Sequence, residues 1–274
     1  MRRFTTARAA AIALALSAGV ALTAVSSAVG PDAASVGQPL GGRDQHGKFV
    51  DKGGLVLLTE RLYLVYWGKA WTQPDTLALT AEQVTTAARI ILSSTYMTGL
   101  AEYRGIGRGE LLGSRVLSAS EPPSGFSDGD VRQFVRDQIS AGTIPGPDAD
   151  NQTVYGVVMP PGVKPNYADW EGAHNSDGGD GHGIHYAWFA NSDRLDLLTA
   201  TISHEIVEAA TDPEGSGFLG VSGTCSQEGW CEIADICSFT GVVDAVTVAS
   251  YWSDAAGECV VQAPVRRESS SGRS

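Results

Sequence analysis

The chain has 274 residues, with 31 acidic side chains against 19 basic ones, a formal net charge of −12 and 43% hydrophobic residues. Such an acid surplus works against nucleic acid and anionic membrane surfaces as partners. The length suffices for one sizeable core, or for a core with a smaller appended lobe.

The first residues carry Arg2, Arg3 and Arg8, and the run from Ala9 to Val25 is apolar, Ala-rich and uncharged. This is the pattern of a secretory signal peptide over residues 1–28, with the small residues before the Ala28 junction suiting cleavage there and Ala34 as the alternative. The apolar run falls short of the roughly 20 residues of a spanning helix. Loss of the three arginines, with no acid removed, takes the formal charge from −12 to −15. A secreted, extracellular protein with no membrane attachment after cleavage is the expectation.

Residues 29–53 read as a flexible lead-in, and a single domain is expected over 54–262. Leu55 to Leu58 and Arg61 to Trp67 are rich enough in β-branched and aromatic residues for strands, the second apolar on both faces and so interior to a sheet. Thr80 followed by Gln83 is a capping box before a helix that continues, bent or broken, toward Tyr103. A strand is expected from Leu111 to Ser118, a helix capped by Ser127, and a strand from Val154 to Met159. Asn166 to Gly183 is crowded with Gly and Asp and reads as one long loop. Ile184 to Ala190 returns as a strand with Ile184, Tyr186 and Trp188 on one face. The next helix begins near Ser192 or Asp193 and ends at Thr211-Asp212-Pro213.

That helix carries His204-Glu205-Ile206-Val207-Glu208. At about 100° per residue, His204 and Glu208 stand one turn apart on one face and can share a cation, with Glu205 beside them. Leu195, Leu198, Ile202, Ile206 and Ala209 form the opposite, core-facing stripe, so the polar set is expected to look into a cleft. In the H-E-x-x-H pattern of zinc hydrolases the intervening Glu is the general base, and here a carboxylate replaces the second histidine. Zn²⁺ is therefore the expected cofactor, with Ca²⁺ the alternative because acidic ligands outnumber imidazoles. Glu232 and Asp235 lie further on. If their segment is helical they share a face, and one supplies a third metal ligand while the other orients a ligand. His174 and His182 are substrate-side or alternative ligands, and His185 packs against the sheet. The spacing of Asn175, Asp177 and Asp180 does not fit an EF-hand loop.

All four cysteines fall in the last fifth of the chain. In an exported protein they read as two disulfides in a loop-rich lobe from about residue 213, Cys225–Cys231 and Cys237–Cys259 being favoured over the other pairings and over a zinc cluster. The polar residues 263–274 read as a disordered tail.

The element order, a sheet with its covering helices followed by an edge strand and the His-Glu helix, resembles the zincin arrangement. The expected fold class is α/β (α+β), a zincin-like mixed sheet. The only methionines are Met1, Met97 and Met159, so no Met-turn of the metzincin kind can follow the helix. The segments YLVYWGKAW, GAHNS, YAWFANS, SHEIVEAATDP and CEIADIC together resemble bacterial relatives of the phosphate-induced, Exordium-like secreted proteins. That resemblance implies secretion. Plant members lack the acidic helix, so catalysis is not part of what it implies. The expectation drawn from the helix itself is a secreted metal-dependent hydrolase, a zinc peptidase acting on peptide or protein. A non-catalytic extracellular or wall-associated binding protein is the alternative, and a weaker one is a carbohydrate surface built from Trp67, Trp71, Trp170 and Trp188.

Overall fold

The computed structural model describes residues 49–73, 78–166, 171–178, 183–222, 224–225 and 231–262. The signal segment, most of the lead-in, His182, Asp180, Trp170 and the tail lie outside the described residues. In chain order the elements are β1 (Phe49–Asp51), β2 (Arg61–Trp67), α1 (Ala81–Ser93), the short α2 (Thr95–Thr98), β3 (Glu110–Leu117), β4 (Gly125–Phe126) and α3 (Asp128–Ser140). They continue with β5 (Thr153–Val158), β6 (Lys164–Pro165), β7 (Gly172–Ser176), β8 (His185–Phe189), α4 (Leu195–Thr211), β9 (Phe218–Gly220), β10 (Thr240–Val243), β11 (Val246–Ala249), β12 (Tyr251–Ser253) and β13 (Glu258–Val260). This is the mixed α/β class expected from the sequence.

The central sheet has the order β3-β2-β5-β8-β7. Its first four strands run parallel, and β7 pairs antiparallel with β8. Alternation along β2 explains why the strand is apolar on both faces: Leu62, Leu64 and Tyr66 enter the core beneath α1 and α4, while Val65 and Trp67 enter the core beneath α3. Both expected helix starts hold. Thr80 and Gln83 make a reciprocal capping box on α1, and Ser127 makes one with Asp130 on α3. After α1 the helix breaks at Ser94, as the sequence suggests, into α2 and a single 3₁₀ turn ending at Glu102.

Several expectations are corrected. Leu55 to Leu58 is not a strand: its apolar side chains Val56 and Leu57 are buried, but the backbone is irregular, with Leu57 N–H donating to the Ala210 carbonyl at the end of α4. The folded part starts before Gly54, because β1 pairs antiparallel with β9 and buries Phe49. Helix α4 begins at Leu195, two residues after Asp193, whose φ of 60° is incompatible with the helix. The strand immediately before α4 is β8, one place in from the edge, and the edge itself is the earlier β7. The disulfide-bearing C-terminal segment shares the main core, with Ile233, Ile236, Val248, Tyr251 and Trp252 in the same cluster as α1 and α4. Its hairpins β10-β11 and β12-β13 contribute Val243, Val246, Val248, Tyr251 and Trp252 to that core.

Both favoured disulfides are present, Cys225–Cys231 and Cys237–Cys259, with no free cysteine, which excludes a cysteine zinc cluster. Trp67, Trp71 and Trp188 are buried in the cores and offer no sugar-binding surface. Among the described residues, no helix is long and apolar enough to cross a membrane.

Candidate metal centre

Three chain segments meet on the α4 side of the sheet. Helix α4 contributes His204, Glu205 and Glu208, and Asp212 follows at its C-terminus. The 231–237 segment contributes Glu232 and Asp235, and β7 contributes His174. Helix α4 is anchored on its other side by Leu198, Ile202, Ile206 and Ala209, the stripe expected from its periodicity. Ser203 is occupied structurally: its hydroxyl donates to the Ala200 carbonyl and accepts from Ala249 N–H, while its carbonyl accepts from Tyr96 OH.

The 231–237 segment is not helical. It forms hydrogen-bonded turns, Asp235 N–H to Glu232 carbonyl and Cys237 N–H to Ala234 carbonyl, and the Asp235 carboxylate accepts from Glu232 N–H at 3.0 Å. With a disulfide at each end, these turns hold the two carboxylates against α4.

His174 arrives by a route the sequence concealed. The Gly- and Asp-rich stretch contains β7, in which His174 pairs with Ala187 of β8 and so points to the α4 side of the sheet. The close approach of strand and helix requires Gly172, since a Cβ there would lie 2.6 Å from Thr201 Cγ2 and 2.9 Å from Glu205 Oε1. The neighbouring Asn175 and Asp177 serve other contacts, with Asp128 and Arg136.

The distances define two groups. His204 Nε2 lies 3.1 Å from Glu208 Oε1 and 3.7 Å from Asp235 Oδ1. His174 Nδ1 lies 3.3 Å from Glu205 Oε2 and 3.9 Å from Glu208 Oε2. In each group, His204–Glu208–Asp235 and His174–Glu205–Glu208, one potential ligand atom per residue lies within 4.8 Å of the others. Zinc bonds of about 2.0–2.1 Å imply ligand atoms roughly 3.3 Å apart in a tetrahedral shell, so the spacing suits a divalent cation. On its far edge His174 Nε2 lies 3.2 Å from the Asp212 carbonyl and 3.3 Å from Glu232 Oε1.

The cluster is nearly closed to solvent. Glu205 and Glu208 are fully buried, and the most exposed side chain of the seven, His204, keeps 9% of its surface. The expectation of an open cleft is thereby corrected. Five buried carboxylates surround two imidazoles, so with every acid ionised the cluster would carry three surplus negative charges even with both rings protonated. Water cannot solvate that surplus, so protons or a bound cation must offset it.

The titration directions express the same imbalance. Burial disfavours charge on both rings, yet Glu232 and Glu205 around His174, and Glu208 and Asp235 around His204, hold each imidazolium pKa well above that of an ordinary histidine. Burial and the nearby Asp235 push Glu208 well up. Burial and Glu232 raise Asp212 to about 7, and burial raises Asp235 to about 6 against the pull of His204.

The buried oxygens Glu205 Oε1, Asp212 Oδ2, Glu232 Oε2 and Asp235 Oδ1, and the ring nitrogen His204 Nε2, lack a hydrogen-bond partner among the described residues. His204 Nε2 nevertheless lies within ion-pair distance of both Glu208 and Asp235. The donor set therefore fits a divalent cation.

Sequence reasoning brought His204, Glu205, Glu208, Glu232 and Asp235 to the site and held His174 as a lesser alternative. His185 packs within the sheet with Nε2 at 3.1 Å from Glu214, as expected of a buried structural histidine. Asp212 was missed, although its position extends the i, i+4 series of His204 and Glu208 by one more turn, a signal masked by its place in the helix stop. Glu60, just before β2, is also wholly buried with neither carboxylate oxygen hydrogen-bonded among the described residues, and burial drives its pKa well up. Nothing in its local sequence marks it. Comparison with family models, with curated proteins and with solved structures finds no match for this chain.

Proposed function

We propose that this protein is an exported metal-dependent hydrolase of the peptidase kind, with one divalent cation, Zn²⁺ by preference, held by His204 Nε2, Glu208 Oε1 and Asp235 Oδ1. The observation that carries the reading is the convergence of these three atoms from two chain segments inside a cluster with surplus buried negative charge. The leader pattern and the two disulfides support export. A cation bound there supplies a Lewis acid for a substrate carbonyl and lowers the pKa of water.

The chain's own part is the handling of the proton. Glu205 has one oxygen, Oε2, directed to His174 and the other, Oε1, with no hydrogen-bond partner among the described residues. Oε1 is the proton acceptor for the attacking water, and His174 fixes the carboxylate in place. Glu205→Gln should abolish hydrolysis of a fluorogenic peptide library while leaving zinc at the His204 group intact, whereas His204→Ala should lose both hydrolysis and that zinc. Activity retained in either variant sinks this mechanism.

Near-complete burial of the ligands favours a second reading, a structural metal clip in a non-catalytic extracellular binding protein, since structural sites are closed and catalytic ones keep an open position. In that case chelation lowers the melting temperature and no peptide is cleaved before or after.

A further inference from the structure

The two groups of ligand atoms share one residue. Glu208 turns Oε1 toward His204 and Oε2 toward His174, so its carboxylate spans the two groups. The group on the His174 side is more than a gathering of acids. Nε2 of His174 faces two acceptors, the Asp212 carbonyl and Glu232 Oε1, and therefore carries the proton there. Nδ1 then faces two further acceptors, Glu205 Oε2 and Glu208 Oε2. A ring whose one N–H is fixed by a carboxylate and a carbonyl, and whose other nitrogen is turned toward two carboxylates, has the arrangement of a metal-ligating histidine held by its outer partners. A second, independent sign is the pair of fully or almost fully buried oxygens beside the ring, Glu205 Oε1 and Glu232 Oε2, with no hydrogen-bond partner among the described residues.

We propose that the centre is dinuclear: a second divalent cation binds His174 Nδ1, Glu205 Oε2 and Glu208 Oε2, and the Glu208 carboxylate bridges it to the first. This rests on the mononuclear reading of the His204 group and extends it. Two divalent cations bring four positive charges to five carboxylates. The electrostatic conflict is thereby relieved without requiring either ring to be protonated, and the hard carboxylate-rich second site accepts Mn²⁺ as well as Zn²⁺. Ligation through Oε2 leaves Glu205 Oε1 as the proton acceptor. Asp212 and Glu232 orient His174 and are positioning residues.

The test is metal stoichiometry on the full chain, stripped by chelation and titrated with Zn²⁺ under native mass spectrometry. The expected result is two ions per wild-type chain, and one in His174→Gln and in His204→Gln. Loaded with Mn²⁺, the wild type should give the electron paramagnetic resonance spectrum of an exchange-coupled pair, and His174→Gln that of a single ion. Saturation of the wild type at one ion overturns the second site and leaves the His204 reading standing, and no binding at all overturns both. Two ions in His174→Gln overturn the assignment of the second site. Two uncoupled Mn²⁺ ions in the wild type overturn the Glu208 bridge. The wild-type count decides even if a variant fails to fold.

Discussion

The two faces of the central sheet bury acid in opposite ways. Under α3, a single acid, Asp128, meets neutral donors, its Oδ2 accepting from Tyr186 OH at 2.7 Å and from Asn175 Nδ2 at 3.4 Å. Under α4, Glu205, Glu208, Glu232 and Asp235 face two imidazoles and one another. The first gathers one carboxylate among neutral groups, while the second gathers several carboxylates whose mutual repulsion only protons or cations can offset. Burial alone therefore does not distinguish a structural acid from a ligand; the chemistry of the facing groups does.

The largest effect that can break this contrast is metal removal. At pH 8, restoring zinc at a thousandfold excess over its Kd should stabilise the chelated protein by about 4 kcal/mol, a rise in Tm of roughly 8–16 °C for a domain of this size, measured by calorimetry. No shift would place the α4 cluster in the same class as Asp128. Next in size, Asp128→Ala should cost about 1–3 kcal/mol by leaving Tyr186 OH and the Asn175 amide unpaired, and by the same amount with and without metal. Dependence of that cost on metal would blur the distinction.

Gly172→Ala should destabilise by about 1–3 kcal/mol, because the added methyl pushes β7 off Thr201 and Glu205. Its zinc affinity should fall as well, which isothermal titration reads directly.

For the metal-free protein the pH dependence has a definite sign. Asp212 has its carboxyl raised from 3.8 to about 7, so the folded state holds a proton that the unfolded chain releases. Stability from this group is full below about pH 4 and is lost as pH rises toward 7. Asp235, raised from 3.8 to about 6, acts the same way over a narrower window. The raised imidazoles add to the trend, their contribution being present below the ordinary histidine pKa and lost as pH climbs through the folded value. Metal-free Tm should therefore fall from pH 5 to pH 8, and saturating zinc should flatten or reverse the slope. Smallest of all, Glu208→Gln should change the stability of the metal-free protein by no more than about 1 kcal/mol, since burial and Asp235 already favour the uncharged carboxyl that Gln resembles. Its response to zinc should vanish. A strong loss of stability without metal would show that Glu208 is a structural partner of His204 first.

The elements with strong local signals were legible in advance. Capping residues announced α1 and α3, β-branched and aromatic runs announced β2 and β8, and the apolar stripe of α4 placed His204 and Glu208 on its other face. Where a segment's structure depends on its neighbours, local reading failed. β7 has the composition of a loop and is a strand because β8 supplies its hydrogen bonds. The 231–237 segment has helical spacing of its acids but is a turn between two disulfides. Leu55 to Leu58 has strand composition but is held irregular by the end of α4.

By itself, then, the sequence determined which residues could bind a cation, since the helical angle between positions i and i+4 is a property of the backbone alone. Cysteine spacing likewise favoured the pairing observed. Tertiary structure decided how many ligands meet and whether water reaches them. Only the packing of β7 on α4, through the bare Cα of Gly172, brings His174 to Glu205 and Glu208, and only the core made by the C-terminal hairpins seals five carboxylates from solvent. Side-chain type and helical phase are encoded locally, whereas desolvation and charge surplus arise from segments far apart in the chain.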